Sequence, residues 1–280
     1  MNAGFQRRIQ RYGWDKAVDY YERSWQKQLF PAQKRLLELA DLREGERVLD
    51  VACGTGLVTF PAAASVGVNG KVVGSDISQG MVNKAGEIAA AQNLRQIEFK
   101  RMDGEDLQFP DASFDVVLCA LGLLYFPDPL KSLQEMYRVI KPGGRLVAAV
   151  WGERRNCGWA DIFPIVDSRV NSEVCPMFFF LGGQDILRRH FEMAGFENVA
   201  SERLSSTLHY HSSEEALGAA FAGGPVALAY SRFDEQTREE AHRDYLTSIA
   251  RYRNGKGYHI PGEFVVASGQ KSNNRREATS

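Results

Sequence analysis

The stretch Val48–Gly56, VLDVACGTG, decides the fold of this 280-residue chain. Its first four residues are apolar except for Asp50, which predicts a buried parallel strand. Gly54 and Gly56 allow a tight turn and a close approach of the backbone to a ligand, and a helix is expected to begin near Leu57. A strand, a glycine turn and a helix in this order predict a cofactor site at the end of the strand.

The same stretch separates two kinds of cofactor. A dinucleotide fingerprint needs a third glycine at the position of Thr59, so that helix and strand pack closely beside a pyrophosphate. The carboxylate of Asp50 would also repel phosphates, whereas it would attract a cation. The residues therefore favour a cationic ligand. A nicotinamide-dependent oxidoreductase is kept as an alternative that thermal stabilisation by the cofactor would detect.

Strands and helices alternate after this stretch. Two helices, separated at Pro31, are predicted before the first strand. The later elements are strands at 71–77, 97–102, 114–120 and 145–151, helices at 78–93 and 129–140, and the turn KPGG at 141–144. This alternation predicts an α/β fold with a mostly parallel sheet and helices on both faces.

Beyond Trp151 the alternation breaks. An apolar segment at 177–181 precedes a helix at 185–194 and a strand that runs towards His211. Ser212 and Glu215 form a capping box, and helical sequence then continues to 257, before a short last strand at 264–268. The polar tail at 271–280 is expected to be disordered.

Composition narrows the classes of function. The net charge of -1 gives no long-range field for nucleic acid, and the sequence shows no N-terminal apolar segment and no bilayer-spanning apolar run. The four cysteines, Cys53, Cys119, Cys157 and Cys175, lack zinc or disulfide-framework spacing. We therefore expect a cytoplasmic protein with reduced thiols, no metal, no nucleic-acid partner and no membrane insertion. The oligomeric state is left open.

Five strings in order resemble the class I S-adenosylmethionine-dependent methyltransferases, most of all the small-molecule branch that includes the ubiquinone and menaquinone C-methyltransferases. They are VLDVACGTG at Val48, VVGSDIS at Val72, MDGEDLQF at Met102, FDVVLC at Phe114 and the KPGG turn. The resemblance implies a Rossmann-like, seven-stranded, mostly parallel sheet with an antiparallel last strand. It also implies a single domain, with a helical N-terminal lid at 1–42, a cofactor-binding core at 43–151, and substrate-capping insertions with the last strands at 152–270.

The resemblance also carries residue roles towards S-adenosylmethionine. It places Asp50, Ala52, Gly54 and Gly56 around the methionine moiety, Asp76 at the ribose hydroxyls, Ile77 and Met81 on the adenine ring, Asp103 and Gly104 at the adenine amino group, Ala120 and Leu121 beside the sulfonium, and Tyr20 or Tyr21 as a lid over the methionine end. Each role suits its residue type, because carboxylates accept hydroxyl protons and attract the sulfonium, and glycine lets backbone approach.

The acceptor end is less constrained by the sequence. Methyl transfer needs alignment and exclusion of water, and it needs a base only when the acceptor must lose a proton. His209 is the candidate base, at the carboxyl end of the sixth strand, where open α/β sheets place ligands; His211, Tyr210 and Tyr125 are the alternatives. An aromatic wall that favours an apolar or planar acceptor is expected from Trp151, Trp159, Phe163, Phe178, Phe179, Phe180 and Phe221.

The expected function is transfer of a methyl group to a small organic acceptor on oxygen, carbon or nitrogen. A protein that binds S-adenosylmethionine without catalysis is one alternative, and methylation of arsenite or a thiol through convergent cysteines is another. Methylation of a nucleic-acid base is disfavoured. LGLLYF at Leu121 follows the fourth strand, where an Asn/Asp-Pro-Pro-aromatic string would be required.

Overall fold

The computed structural model describes residues 3–170 and 177–273, which form one layered α/β structure. The strands are β1 Arg47–Val51, β2 Lys71–Asp76, β3 Ile97–Arg101, β4 Phe114–Ala120, β5 Ile140–Trp151, β6 Glu197–Tyr210, β7 Arg253–Asn254 and β8 Gly257–Gln270. They form one sheet in the order β3-β2-β1-β4-β5-β8-β6, with the two-residue β7 paired to β8. The first five strands are parallel, and β8 is antiparallel to both β5 and β6. The predicted seven-stranded, mostly parallel sheet is confirmed, and β7 is an addition to it.

Helices cover both faces of this sheet. They are α1 Ala3–Ala40, α2 Thr59–Val66, α3 Gln79–Ala91, α4 Pro129–Val139, α5 Ile162–Asp167, α6 Ile186–Met193, α7 Ser213–Leu217, α8 Ala227–Tyr230 and α9 Glu235–Ser248, with a π-helical turn at Gly218–Ala222. Ser78 caps α3 as predicted, because its hydroxyl accepts the backbone N–H of Met81. Asp128 caps α4 in the same way through the N–H of Lys131.

The two helices predicted before β1 are a single helix, α1, so the break expected at Pro31 was wrong. Proline inside a helix removes one backbone hydrogen bond and costs about 3 kcal/mol. Its ring is exposed here, whereas Leu29, Ala32 and Leu36 on either side are buried against the core. Burial of this apolar face offsets the lost hydrogen bond.

Two strand boundaries also differ from the prediction. β5 begins at Ile140, before the KPGG segment, and the pairing with β4 jumps from Phe114↔Ile140 to Val116↔Arg145 across it. The four residues therefore form an irregularity inside the strand, with Gly143 at a φ of 77°. β8 is much longer than predicted because β6 pairs with it from Glu197↔Gln270 to Tyr210↔Tyr258.

Parts of two sequence predictions lie outside the described residues. Cys175 falls in the undescribed segment 171–176, and most of the predicted disordered tail falls in 274–280. Lys271, at the start of that tail, is anchored: its Nζ donates to the carbonyls of Tyr137 and Ile140, at 2.8 Å each. Within the described ranges, no helix combines the length and the apolar character that a membrane span requires.

Candidate active site

A cleft with about 880 Å³ of open space lies at the carboxyl ends of β1, β2 and β4 and is covered by α1. Ligands of open α/β sheets bind at this edge. Six α1 residues line it at helical spacing, so that one face of the helix runs along the whole cleft: Arg7, Gln10, Trp14, Tyr21, Trp25 and Leu29. Nine of the predicted cofactor residues line it as well: Tyr21, Ala52, Gly54, Asp76, Ile77, Met81, Asp103, Ala120 and Leu121.

The glycine turn after β1 brings backbone to the floor of the cleft. Gly54 and Gly56 have φ values of 55° and 96°, which glycine adopts without strain, whereas Ala52 adopts a φ of 58°, which is uncommon for a residue with a Cβ atom. Gly56 itself does not line the cleft. A Cβ there would lie 2.6 Å from the ring of Phe60, so its role is to let that ring pack under the turn.

Asp76, at the end of β2, is held in a fixed orientation. Its Oδ2 accepts the N–H of Gly54 and its Oδ1 accepts the N–H of Ser78, both at 2.9 Å. Burial raises the pKa of this carboxyl to about 6, although these two hydrogen bonds lower it. The carboxylate is thus fixed by the backbone and lines the cleft, with acceptor capacity remaining on each oxygen.

Asp50 lies beneath the glycine turn rather than on the cleft surface. Its side chain is 1% exposed, and its Oδ2 accepts the hydroxyl of Thr59 at 2.6 Å. Burial raises the pKa of this carboxyl to about 7, and the charge of Asp76 adds to the increase. Thr59, the residue that replaces the third glycine of a dinucleotide fingerprint, is therefore the hydrogen-bond partner of Asp50.

The third predicted carboxylate, Asp103, lies at the rim of the cleft. Its Oδ2 pairs with Nε of Arg7 at 2.9 Å, which ties the first turns of α1 to this side of the cleft. Gly104 does not line the cleft. A Cβ there would lie 2.6 Å from the ring of Phe126, a cleft residue that the sequence analysis did not single out.

The structure separates the two tyrosines proposed as a lid. Tyr20 is 39% exposed, and the guanidinium of Arg23 lies 4.2 Å from its ring, outside the cleft. Tyr21 lines the cleft, packs edge-on against Trp14 at 5.7 Å and lies over Gly54. Burial and the charges of Asp76 and Asp50 raise the pKa of its hydroxyl, which is therefore neutral at physiological pH.

Asp15 is a site residue that the sequence analysis missed. Its Oδ1 accepts the hydroxyl of Ser78 at 2.6 Å and the N–H of Gly80 at 3.0 Å. It therefore joins α1 to the first turn of α3, directly after Asp76. A carboxylate in the middle of a long helix gives no sequence signal for such a contact.

The other end of the cleft is aromatic. Trp25 of α1, Trp151 at the end of β5 and Trp159 form a buried cluster, with ring centroids 4.8 to 6.1 Å apart. Phe178 packs edge-on against Trp159 at 5.6 Å and completes the wall with Leu29 and Pro225. None of these six side chains is ionisable.

Three of the seven predicted wall residues line the cleft, namely Trp151, Trp159 and Phe178. Phe163 and Phe179 pack behind them against Trp159. Phe180 is 42% exposed, and Phe221 packs away from the cleft against Tyr230 and Tyr245.

The structure does not bring His209, the candidate base, to the cleft. It stands at the carboxyl end of β6, as expected, but β6 is the edge of the sheet, and the histidine faces a shallow depression with Lys27 and His211. Its backbone N–H donates to Oε1 of Gln28 at 3.0 Å, and its carbonyl accepts Nε2 of Gln28 at 2.7 Å. The insertion of β8 between β5 and β6 moves His209 away from the central strand ends. Of the three alternative bases, His211 lies in the same depression and Tyr210 is buried outside the cleft. Only Tyr125 among these three lines the cleft.

The cysteines do not form a thiolate site in the part of the chain that the structure describes. Cys53, Cys119 and Cys157 are buried and free. Burial raises the pKa of each thiol, to about 12 for Cys119 and Cys157. The described residues also contain no group of three or more His, Cys, Asp or Glu that could hold a metal ion.

Comparison with known proteins confirms the resemblance seen in the sequence. Residues 24–157 match the model of the ubiE/COQ5 methyltransferase family. The chain is 39% identical over 132 residues to a nocamycin O-methyltransferase of Saccharothrix syringae, covering 47% of each protein. It is 36% identical over 131 residues to a demethylmenaquinone methyltransferase of Listeria monocytogenes, covering 47% of this chain and 55% of that protein. The chain thus matches about half the length of these curated relatives.

Solved structures extend the likeness of fold to most of the chain. The [4+2]-cyclase SpnF has a TM-score of 0.59 at 21% identity and covers 90% of this chain and 83% of its own. A phosphoethanolamine N-methyltransferase 2 of Haemonchus contortus, solved with S-adenosyl-L-methionine, has a TM-score of 0.59 at 18% identity and covers 92% and 57%. The fold is therefore that of the Rossmann-like methyltransferases. One neighbour with this fold, SpnF, is named as a [4+2]-cyclase, so the fold alone does not assign a reaction.

Proposed function

We propose that this protein transfers the methyl group of S-adenosylmethionine to a small, planar and largely apolar organic acceptor. One observation carries the proposal: a single cleft has carboxylates and a glycine turn at one end and an uncharged aromatic wall at the other. Such a cleft suits a polar cation at one end and an apolar molecule at the other. The methyltransferases named above as relatives support the same activity.

At the cofactor end, the described residues fit S-adenosylmethionine. Asp76, already oriented by two backbone N–H groups, would accept the ribose hydroxyls. Ile77 and Met81 would contact the adenine ring, with Asp103 at its amino group. Asp50 would act through its charge from below the turn, because it does not reach the cleft surface. The cofactor supplies an activated methyl group, and the protein has to hold it in line with the acceptor.

At the acceptor end, the described side chains exclude water and orient the acceptor. Burial of a planar molecule against Trp25, Trp151 and Trp159 stabilises it by roughly 25 cal/mol per Å² of apolar surface removed from water. Alignment of two reactants in a dry site is itself a large rate factor. The helix α1 covers both ends and acts as the lid in this proposal, and a cytoplasmic location remains part of it.

Two measurements test this function. S-adenosylmethionine and S-adenosylhomocysteine should raise the melting temperature, whereas NAD and NADP should have no effect. At a ligand concentration of a hundred times the dissociation constant, the free energy of unfolding should increase by about 2.7 kcal/mol. Mass spectrometry of reactions with quinols, phenols, organic acids, amines and thiols should show products that are one methyl group heavier. Stabilisation by NAD alone would overturn the cofactor assignment. If S-adenosylmethionine binds but no acceptor class gives a methylated product, the result would favour the alternative of a protein that binds the cofactor without catalysis.

A further inference from the structure

Two buried indole groups at the acceptor end lack hydrogen-bond partners. Trp25 is 6% exposed and Trp159 is 3% exposed, and the Nε1–H of each meets no acceptor within the described ranges 3–170 and 177–273. Both rings line the cleft. An N–H group buried without a partner destabilises the fold, and phenylalanine at the same positions would avoid that cost.

The surrounding rings do not supply that partner. The ring centroids of the two indoles lie 5.8 Å apart with an interplanar angle of 68°, and each indole makes an edge-on contact with Trp151. Such edge contacts offer at most a weak N–H···π interaction, which is a second-order effect beside a hydrogen bond to oxygen. Two N–H donors without a partner therefore belong to rings that line a largely apolar space.

Among the described residues, this end of the cleft has no carboxylate and no imidazole; it does carry the hydroxyl of Tyr125, whose ring packs on Phe178 at 5.5 Å, but a neutral phenol is a weak proton acceptor. The wall residues Leu29, Phe178 and Pro225 are apolar, and the cleft carboxylates Asp76 and Asp103 belong to the cofactor end. His209 lies in a separate depression. An acceptor that must lose a proton during transfer thus finds no base among the wall residues, whereas one that arrives ionised needs none.

We propose that the Nε1–H groups of Trp25 and Trp159 bind an oxygen of a planar organic acid that enters as its anion, either a carboxylate or an enolate. This inference rests on the proposed function and names its acceptor class. The indoles offset the desolvation of the anion, and its charge is balanced by the sulfonium across the cleft. A carboxylate, or an enolate conjugated with a second carbonyl, shares its charge between two oxygens, so that one oxygen can be held by the indoles while the other is methylated.

The transfer then balances without a base. A lone pair of the free acceptor oxygen forms the new O–CH₃ bond as the carbon–sulfur bond breaks. The electron pair of that bond stays on sulfur, which changes from a sulfonium to a thioether. One anion and one cation become two neutral centres, and no proton is released.

Binding of ring-matched probes tests the inference without turnover. Sinefungin, a cationic analogue of S-adenosylmethionine without a transferable methyl group, is first bound to the full chain. Isothermal titration calorimetry then compares 2-naphthoate and the enolate 2-hydroxy-1,4-naphthoquinone with neutral 2-naphthamide and 2-naphthylamine. We expect at least one anion to bind about tenfold more tightly than the amide, since hydrogen bonds to charged groups are the stronger ones. The better anion identifies the carboxylate or the enolate source.

Variants separate the N–H donors from the packing of the pocket. Trp25→Phe and Trp159→Phe should each lower the ratio of anion to amide affinity at least threefold, whereas the control Phe178→Leu should weaken both ligands and leave the ratio unchanged. If neither anion binds more tightly than the amide in the unmodified protein, the inference is overturned, as it is by an unchanged ratio in both tryptophan variants. A protein that does not bind sinefungin would instead overturn the proposed function.

Discussion

The two ends of the cleft differ in the groups that form their surfaces. At the cofactor end, the ligand surface is largely backbone and strand-end carboxylates, set by Ala52, Gly54 and Asp76 within a short stretch of chain. At the acceptor end, it consists of side chains from distant segments, such as Trp25, Trp151 and Trp159. The first end is fixed by local conformation, and the second exists only after the chain has folded. We therefore expect substitutions at the two ends to separate cofactor affinity from acceptor affinity.

The largest effect is expected at Asp76. Asp76→Ala should weaken S-adenosylmethionine binding 10- to 100-fold, because the variant loses the charge-assisted hydrogen bonds proposed to the ribose, together with those that Asp76 accepts from the N–H groups of Gly54 and Ser78. Calorimetry measures this, with exposed Asp106→Ala as the matched control that should bind normally. Unchanged affinity in the Asp76 variant would break the assignment of the cofactor end.

The converse variant is Trp151→Leu at the acceptor end. It should raise the acceptor KM about tenfold through lost aromatic contact, while the dissociation constant of S-adenosylmethionine stays within twofold. Steady-state kinetics and calorimetry, with the melting temperature as a check on folding, measure both quantities. A parallel loss of cofactor affinity would show that the two ends are not separable.

Acidification sharpens the comparison through Asp50. Its carboxyl has a pKa of about 7, so it is mostly ionised at pH 8 and mostly protonated at pH 6. Ionised Asp50 attracts the sulfonium, so the affinity for S-adenosylmethionine should fall about tenfold between pH 8 and pH 6; protonation of Asp76, whose pKa is about 6, adds a decrease that S-adenosylhomocysteine shares. Asp50→Asn should bind weakly with a flatter profile. S-adenosylhomocysteine, which lacks the sulfonium, should depend less on pH, and identical profiles for the two ligands would contradict a role for Asp50 charge.

Asp50 should affect the stability of the ligand-free protein in the opposite direction, because ionisation of this buried carboxyl favours cofactor binding but disfavours the folded state. The folded-state pKa of Asp50 is raised, so its contribution to stability is fully present below the unfolded pKa of 3.8 and is lost as the pH rises through about 7. Asp50→Asn removes the buried charge and should raise the melting temperature of the ligand-free protein by several degrees at pH 8, but little at pH 5. Calorimetric melts at both pH values measure the difference. A variant that is less stable at pH 8 would show that the hydrogen bond with Thr59 outweighs the charge.

The smallest effect is expected at His209. Because it faces a depression outside the cleft, His209→Ala should leave kcat, its pH profile and the cofactor affinity within about twofold. A hundredfold loss of kcat with a changed pH profile would restore it as the base and would require the acceptor to reach the sheet edge.

The contrast between the ends also explains what the sequence could predict. The alternation of strands and helices, the cap at Ser78 and most of the predicted cofactor residues that line the cleft come from contiguous motifs, because strand ends and glycine turns act locally. The continuity of α1 through Pro31 depends on burial of its neighbours, and the position of His209 depends on β8 lying between β5 and β6. Trp25 is a similar case, since a single tryptophan in a helix gives no sign of which ring it will meet.

The length of α1 has a consequence for the order of events in turnover. An uninterrupted helix rises about 1.5 Å per residue, so the face from Arg7 to Leu29 extends over roughly 33 Å and spans both ends of the cleft. Asp15 fastens the same helix beside the cofactor. Neither product can leave through the side of the cleft that α1 covers until the whole helix moves. Departure of the products would then limit the rate, so that turnover should slow in viscous solvent and a methyl-group kinetic isotope effect should be masked.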